Sequence, residues 1–198
     1  MMCPMDTTGD IESNFDSELD CFLRACGHDD RWRVIEVLKD ADVTGSTEVV
    51  VPAGTSVAHG GFDSAVPRYV RKVYPVQSDG ADVYEVLQRA QQVGLFIDHV
   101  PKIVECLRGP ERRSVVMEYV EGPTLSEYIS SGNVSPAAVK YLFLQICFAV
   151  RELHECINPP VIHRDLKPSN IIVSPSGPVL VDFGIARLWH EGAECDTT

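Results

Sequence analysis

At 198 residues, 44% hydrophobic and 23% charged, the chain has the length and composition of a globular protein with a real core, which excludes a fibrous repeat and wholesale disorder. Its net charge of -12 excludes a nucleic-acid binder, because gripping a phosphate backbone needs clustered Lys and Arg. In chain order, residues 1–30 hold eight acids against one base, Arg24, and read as a solvated acidic leader. RWRVIEVL (31–38) and TEVVVP (47–52) read as two strands around the turn cluster DADVTGS. The stretch 52–67, rich in Gly, Pro and Ser, is a loop, and RYVRKVYPV (68–76) returns to strand alternation. ADVYEVLQRAQQVG carries Val83, Val86, Leu87 and Ala90 at helical spacing and stops at Gly94. Strands at 103–108 and 114–120 are joined by the turn GPER.

Beyond residue 121 the pattern becomes helical: TLSEYIS is a short helix, and Ser135-Pro136 suit the N-cap and first position of a long one. Its apolar residues, from Val139 through Leu142, Phe143, Ile146, Ala149 and Val150 to Leu153, predict a deeply packed helix. VIHRDLKPSNIIV and PVLVDFGIA then form two strand-loop units. Seven cysteines with no CxxC pair read as free thiols, which suits a reducing cytoplasm. The N-terminus has no basic-then-apolar signal, and the apolar run 142–150 is broken by Gln145, far short of the ~20 residues of a membrane span.

VIHRDLKPSNIIV followed by VDFGIAR resembles the catalytic and metal-binding loops of the protein Ser/Thr kinase family. The resemblance implies an α+β, protein-kinase-like fold: an N-lobe over 31–120 with five antiparallel strands and one helix, then a hinge and an incomplete, mainly helical C-lobe over 121–198. Phosphoryl transfer needs a carboxylate to orient the attacking hydroxyl, and Asp165 is the only acid in its loop. Mg²⁺ prefers hard oxygen ligands, for which Asp182 and Asn170 are the candidates. The resemblance further implies that Lys167 contacts the transferring phosphate and that ATP is the cofactor. It makes Lys72, in RYVRKV, the lysine for the α- and β-phosphates, and Glu85, the one Glu of the following helix, its ion-pair partner. SVVMEYVEGPTL resembles the hinge, with Met117 as gatekeeper and the backbone of Glu118 to Val120 on the adenine edge. Arg164 is the expected receiver of an activating phosphate, with Thr197 and Thr198 as candidate sites.

Two departures qualify this. The glycine-rich loop is reduced to Gly45, with Val49 expected as the apolar lid on the base and Asp40 and Asp42 set against a polyanion, so nucleotide affinity should be weak. The sequence ends at Thr198 inside the expected activation segment, without an A-P-E element, which predicts an uncovered apolar face on the long helix and self-association. The expected partner is a protein substrate, with no nucleic acid and no membrane segment. Two alternatives stand beside the kinase: a nucleotide- or partner-binding module without turnover, and a small-molecule phosphotransferase. Arg164, Lys167 and Pro168 argue against the latter.

Overall fold

The computed structural model describes residues 30–55, 66–95, 97–132 and 134–190. Residues 1–29 of the leader, most of the 52–67 loop and the two terminal threonines lie outside the described residues.

Five strands form one antiparallel sheet in the order β1-β2-β3-β5-β4. They are β1 (Trp32–Asp42), β2 (Gly45–Pro52), β3 (Tyr69–Pro75), β4 (Ile103–Arg108) and β5 (Arg112–Glu118). β1 runs four residues past its expected end because Asp42 pairs with Gly45 across a two-residue turn, and three register shifts along β1–β2 bend the hairpin. β3 is central: Thr47 faces Lys72 on one side and Val115 faces it on the other.

Helix α1 (Asp79–Gln92) packs on this sheet. Ala81, Val83, Tyr84 and Leu87 are buried with Val115, Met117 and Ile103 in one core that continues to Phe183 and Leu153. Asp79 and Asp82 in the first turn and Arg89 in the last oppose the helix dipole, and Gly94 takes a left-handed φ of 87° just beyond the end.

Helix α2 (Leu125–Ser130) opens on a capping box in which Thr124 and Glu127 satisfy each other's backbone amides. Helix α3 (Pro136–Glu155) has Ser135 as its N-cap, accepting from the Ala138 amide at 3.1 Å, and Pro136 at the first position. The expectation of deep packing needs correction. Only Leu142, Ala149 and Leu153 are buried, while Val139, Tyr141, Phe143, Leu144 and Phe148 are exposed, because nothing among the described residues covers that flank. The remainder is two short pairings: β6 (Val161–Ile162) with β9 (Arg187–Leu188), and β7 (Ile171–Ser174) with β8 (Gly177–Leu180). No helix among the described residues is long and apolar enough to cross a membrane.

Candidate active site

The quoted loop lies between β6 and β7. Pro168, with its fixed φ, begins a single 3₁₀ turn, Pro168–Asn170, that carries Asn170 inward to near-complete burial. The Asn170 amide NH₂ donates to the Asp165 carboxylate at 2.8 Å and to its backbone carbonyl at 3.1 Å. Lys167 Nζ donates to the same carboxylate oxygen at 2.7 Å. These bonds, Lys167's first, hold the Asp165 carboxyl below the usual carboxylate range, so it is ionised at neutral pH. The expected loop residues are therefore brought together by direct contact.

His163 fixes this loop to the next. Its Nε2 donates to the Val181 carbonyl (3.1 Å), its Nδ1 accepts from the Asp165 amide (3.3 Å), and its ring packs 4.7 Å from that of Phe183. Burial pushes its pKa down, which agrees with one donating and one accepting nitrogen. Arg164 and Asp182 have φ values of 67° and 65°, the only described non-glycine residues with positive φ, and they bracket the site.

Lys72, buried on β3, meets Asp182 at 2.7 Å. Burial acts to depress the lysine and to raise the aspartate, but attraction overrides it on both sides: Tyr84 and Asp182 lift Lys72 above its ordinary value, and Lys72 lowers Asp182. Both are charged. They stand where two cavities meet. One, about 640 Å³, runs between the lobes past Leu38, Val70, Met117, Val120, Asn170 and Asp182. The other, about 480 Å³, lies under the β1–β2 tip and reaches Thr44, Tyr74, Ser78, Asp165 and Gly184.

Two expected residues are placed elsewhere. Glu85 does not pair with Lys72: its oxygens take Arg108 Nε, Arg108 Nη2 and Arg113 Nη2, each at 2.6 Å. Glu85 lies three positions from Asp82, which also binds Arg113 (2.7 Å), so both acids share the helix face turned away from the cleft. Val49 is fully buried and outside the lining of the cleft, whose roof is Leu38, Thr47 and Val70. Thr47 shares Val49's face of the strand but is two residues nearer the tip. Met117, Glu118 and Val120 line the cleft. The amides of Glu118 and Tyr119 are spent on Lys102 and Arg68 carbonyls, at 2.9 and 3.1 Å.

The β1–β2 tip differs from expectation in kind. Gly45 has φ 117°, and a Cβ there would stand 1.8 Å from the Val73 carbonyl oxygen, so this glycine serves strand pairing. Asp42 accepts from the Thr44 amide (2.7 Å) and hydroxyl (2.6 Å) and pairs with Lys39, lowering its pKa to about 2. Neither Asp40 nor Asp42 lines the two large cavities, so the feared repulsion is directed away from them. Gly45→Ala should cost about 1–3 kcal/mol in urea unfolding through strain and the loss of β2–β3 pairing. A variant as stable as the parent would show that the tip relaxes freely.

The protein kinase domain family model matches residues 70–198, well over half of the chain. The chain belongs to the protein kinase domain family. It is similar to serine/threonine-protein kinase PkaA of Streptomyces coelicolor, 34% identical over 115 residues that make up 54% of this chain and 21% of PkaA. It is also similar to serine/threonine-protein kinase PrkC of Bacillus subtilis, 38% identical over 104 residues, 50% of this chain and 15% of PrkC. The chain thus spans at most 21% of the length of these two curated relatives. A crystal structure of Rad53 1-466 in complex with AMP-PNP shares the fold at TM-score 0.58 and 24% identity, covering 78% of this chain and 38% of that one.

The family implies ATP and a divalent cation, and the donor set suits both. Mg²⁺ usually takes one or two protein oxygens and completes its shell with phosphates and water. Asp182 offers a carboxylate, and Asn170, its NH₂ committed to Asp165, offers its amide oxygen. Among the described residues no cluster of three or more His, Cys, Asp or Glu forms a metal cage, which a site completed by phosphate does not need.

Proposed function

We propose that the chain is the nucleotide-binding and catalytic-loop portion of an ATP-dependent protein serine/threonine kinase. The observation that carries this is the convergence of Lys72, Asp182 and Asn170 on one cleft, with ionised Asp165 held by Lys167 and Asn170 beside it. In this reading the base stacks between Leu38, Val70 and the Ile172 side of the cleft, and the Val120 amide, the one of residues 118–120 not spent on a neighbouring carbonyl, donates to its edge. Lys72 holds the α- and β-phosphates. Mg²⁺ on Asp182 and Asn170 supplies neutralisation of the phosphate charge. Asp165 accepts a hydrogen bond from the substrate hydroxyl and aims it, and Lys167 stabilises the charge that develops on the transferred group. Asp165, with its depressed pKa, acts more as an orienting group than as a strong base. A protein substrate and a cytoplasmic setting go with this reading, the latter because Cys106, Cys147 and Cys156 are free thiols. The exposed apolar side chains of α3 support self-association of this chain.

The binding-module reading is favoured by one feature, the β1–β2 tip, whose single glycine is occupied by Val73 and offers no flexible cradle to phosphates. The test is transfer of labelled γ-phosphate to Ser/Thr peptides alongside calorimetric titration with Mg-ATP. Transfer that requires Mg²⁺ and Lys72, with nucleotide affinity weaker than low micromolar, supports the kinase. Nucleotide binding with no transfer under any condition supports the module.

A further inference from the structure

Helix α1 reaches the catalytic centre without a carboxylate. Its outward face carries Asp82 and Glu85, held by Arg113, whose side chain is 5% exposed, and by Arg108. Turning Glu85 toward Lys72 would strip the buried Arg113 of a partner, so the helix is fixed in the opposite rotation. Its inward face carries Gly80, Tyr84 and Leu87, spaced four and three apart. Tyr84 is fully buried, stands edge-on to Phe183 with ring centres 5.6 Å apart, and accepts a hydrogen bond from the Phe183 amide on its hydroxyl oxygen at 3.2 Å. Gly80 lies so close that a Cβ on it would be 2.3 Å from the Phe183 carbonyl oxygen and 2.5 Å from that of Gly184. One residue before Gly80, Asp79 binds Arg187 at 3.0 Å, just past the same turn.

We propose that α1 positions Asp182 through the backbone of the Asp182–Phe183–Gly184 turn, using the Tyr84 hydroxyl and the bare flank of Gly80, in place of a Lys72–Glu85 ion pair. Asp182 itself has a left-handed backbone, which an L-residue keeps only when its surroundings hold it there. Its neighbours supply that hold. The Gly184 amide donates to its carboxylate from one side (3.2 Å), and the Phe183 amide is tied to Tyr84 on the other. The buried Phe183 amide has this hydroxyl as its acceptor, so removing the hydroxyl frees the peptide unit next to the carboxylate that holds Lys72. The role of Tyr84 and Gly80 as positioning residues rests on the kinase reading; the hold itself does not.

Amide hydrogen exchange by NMR on the whole chain separates the two. In Tyr84→Phe, which keeps the ring, exchange at the Phe183 amide should rise about tenfold over the parent, while the core amides of Val115 and Val116 keep their rates. In Glu85→Gln, Phe183 exchange measured relative to those core amides should stay at the parent value. An unchanged Phe183 rate in Tyr84→Phe, or an equal rise in Glu85→Gln, overturns the proposal. Where the parent transfers phosphate, Tyr84→Phe should lower kcat about tenfold with KM for ATP within about twofold, and Glu85→Gln should leave kcat intact. A parent without any transfer overturns the kinase reading and leaves the exchange comparison to decide this one.

Discussion

Asp165→Asn should reduce phosphate transfer by about 10²–10⁴-fold while leaving nucleotide binding intact. The carboxylate is the acceptor on which two donors converge, Lys167 Nζ at 2.7 Å and the Asn170 amide at 2.8 Å. An asparagine keeps the shape but replaces one acceptor oxygen with a donor, so either Lys167 and Asn170 lose a partner or the substrate hydroxyl does. Binding is spared because Asp165 lines the cavity under the β1–β2 tip and not the longer cleft past Met117 and Val120. The check is a rate and a titration on the same preparation. A variant that transfers phosphate as fast as the parent would remove Asp165 from the chemistry.

The second large effect is on stability. Arg113→Ala should lower unfolding stability by about 3 kcal/mol, the lower end of what breaking a buried ion pair costs. In a chain of this size that is about 6–12 °C in thermal midpoint. Arg113 sits at the inner end of a charge cluster with Arg108, Asp82 and Glu85, in which it binds Asp82 at 2.7 Å and Glu85 at 2.6 Å. Two features keep the cost at the low end: Glu85 retains Arg108, and Arg113 Nε is already buried without a partner. The cluster also sets an acid limit. Burial acts to raise the Glu85 pKa, but the bonds from Arg108 and Arg113 prevail and hold it below its ordinary value of 4.5. A depressed carboxylate stabilises the fold fully above its unfolded value and loses that contribution as pH falls through the folded one. The parent should therefore lose stability below about pH 4.5, and Arg113→Ala should show a shallower decline there in urea titrations at several pH values.

Most of the sheet was legible because strand alternation and turn residues are local signals, and the catalytic loop because its residues act within a few positions of one another. Asp165, Lys167 and Asn170 lie within six positions and carry the resemblance to the kinase catalytic loop, and the structure brings them into contact there. Glu85 was misassigned for a long-range reason. Which face of an amphipathic helix turns inward depends on what packs there, and the two arginines that claim Glu85 lie on β4 and β5, 23 and 28 residues away. The signal available was the Arg112-Arg113 pair: in a strand one of two consecutive residues must point inward, and a buried arginine needs an acid. Val49 failed more simply, because Thr47 shares its face and stands closer to the cleft. Tyr84 had no sequence signal, since a tyrosine at helical spacing reads as ordinary core.

The connection between α1 and β4 also fixes how the cleft can open. His99 Nδ1 donates to the Pro178 carbonyl at 2.8 Å, and the Leu180 amide donates to the His99 carbonyl at 2.8 Å, so the back of the small lobe is riveted to the β7–β8 hairpin. At the other side Gly122 (φ 139°) lies against the Val173 carbonyl, where a Cβ would come within 2.3 Å. Helix α1 adds a third tie, with Gly80 against the Phe183 carbonyl and Tyr84 on the Phe183 amide, so any wide opening of the cleft must break at least one of three junctions.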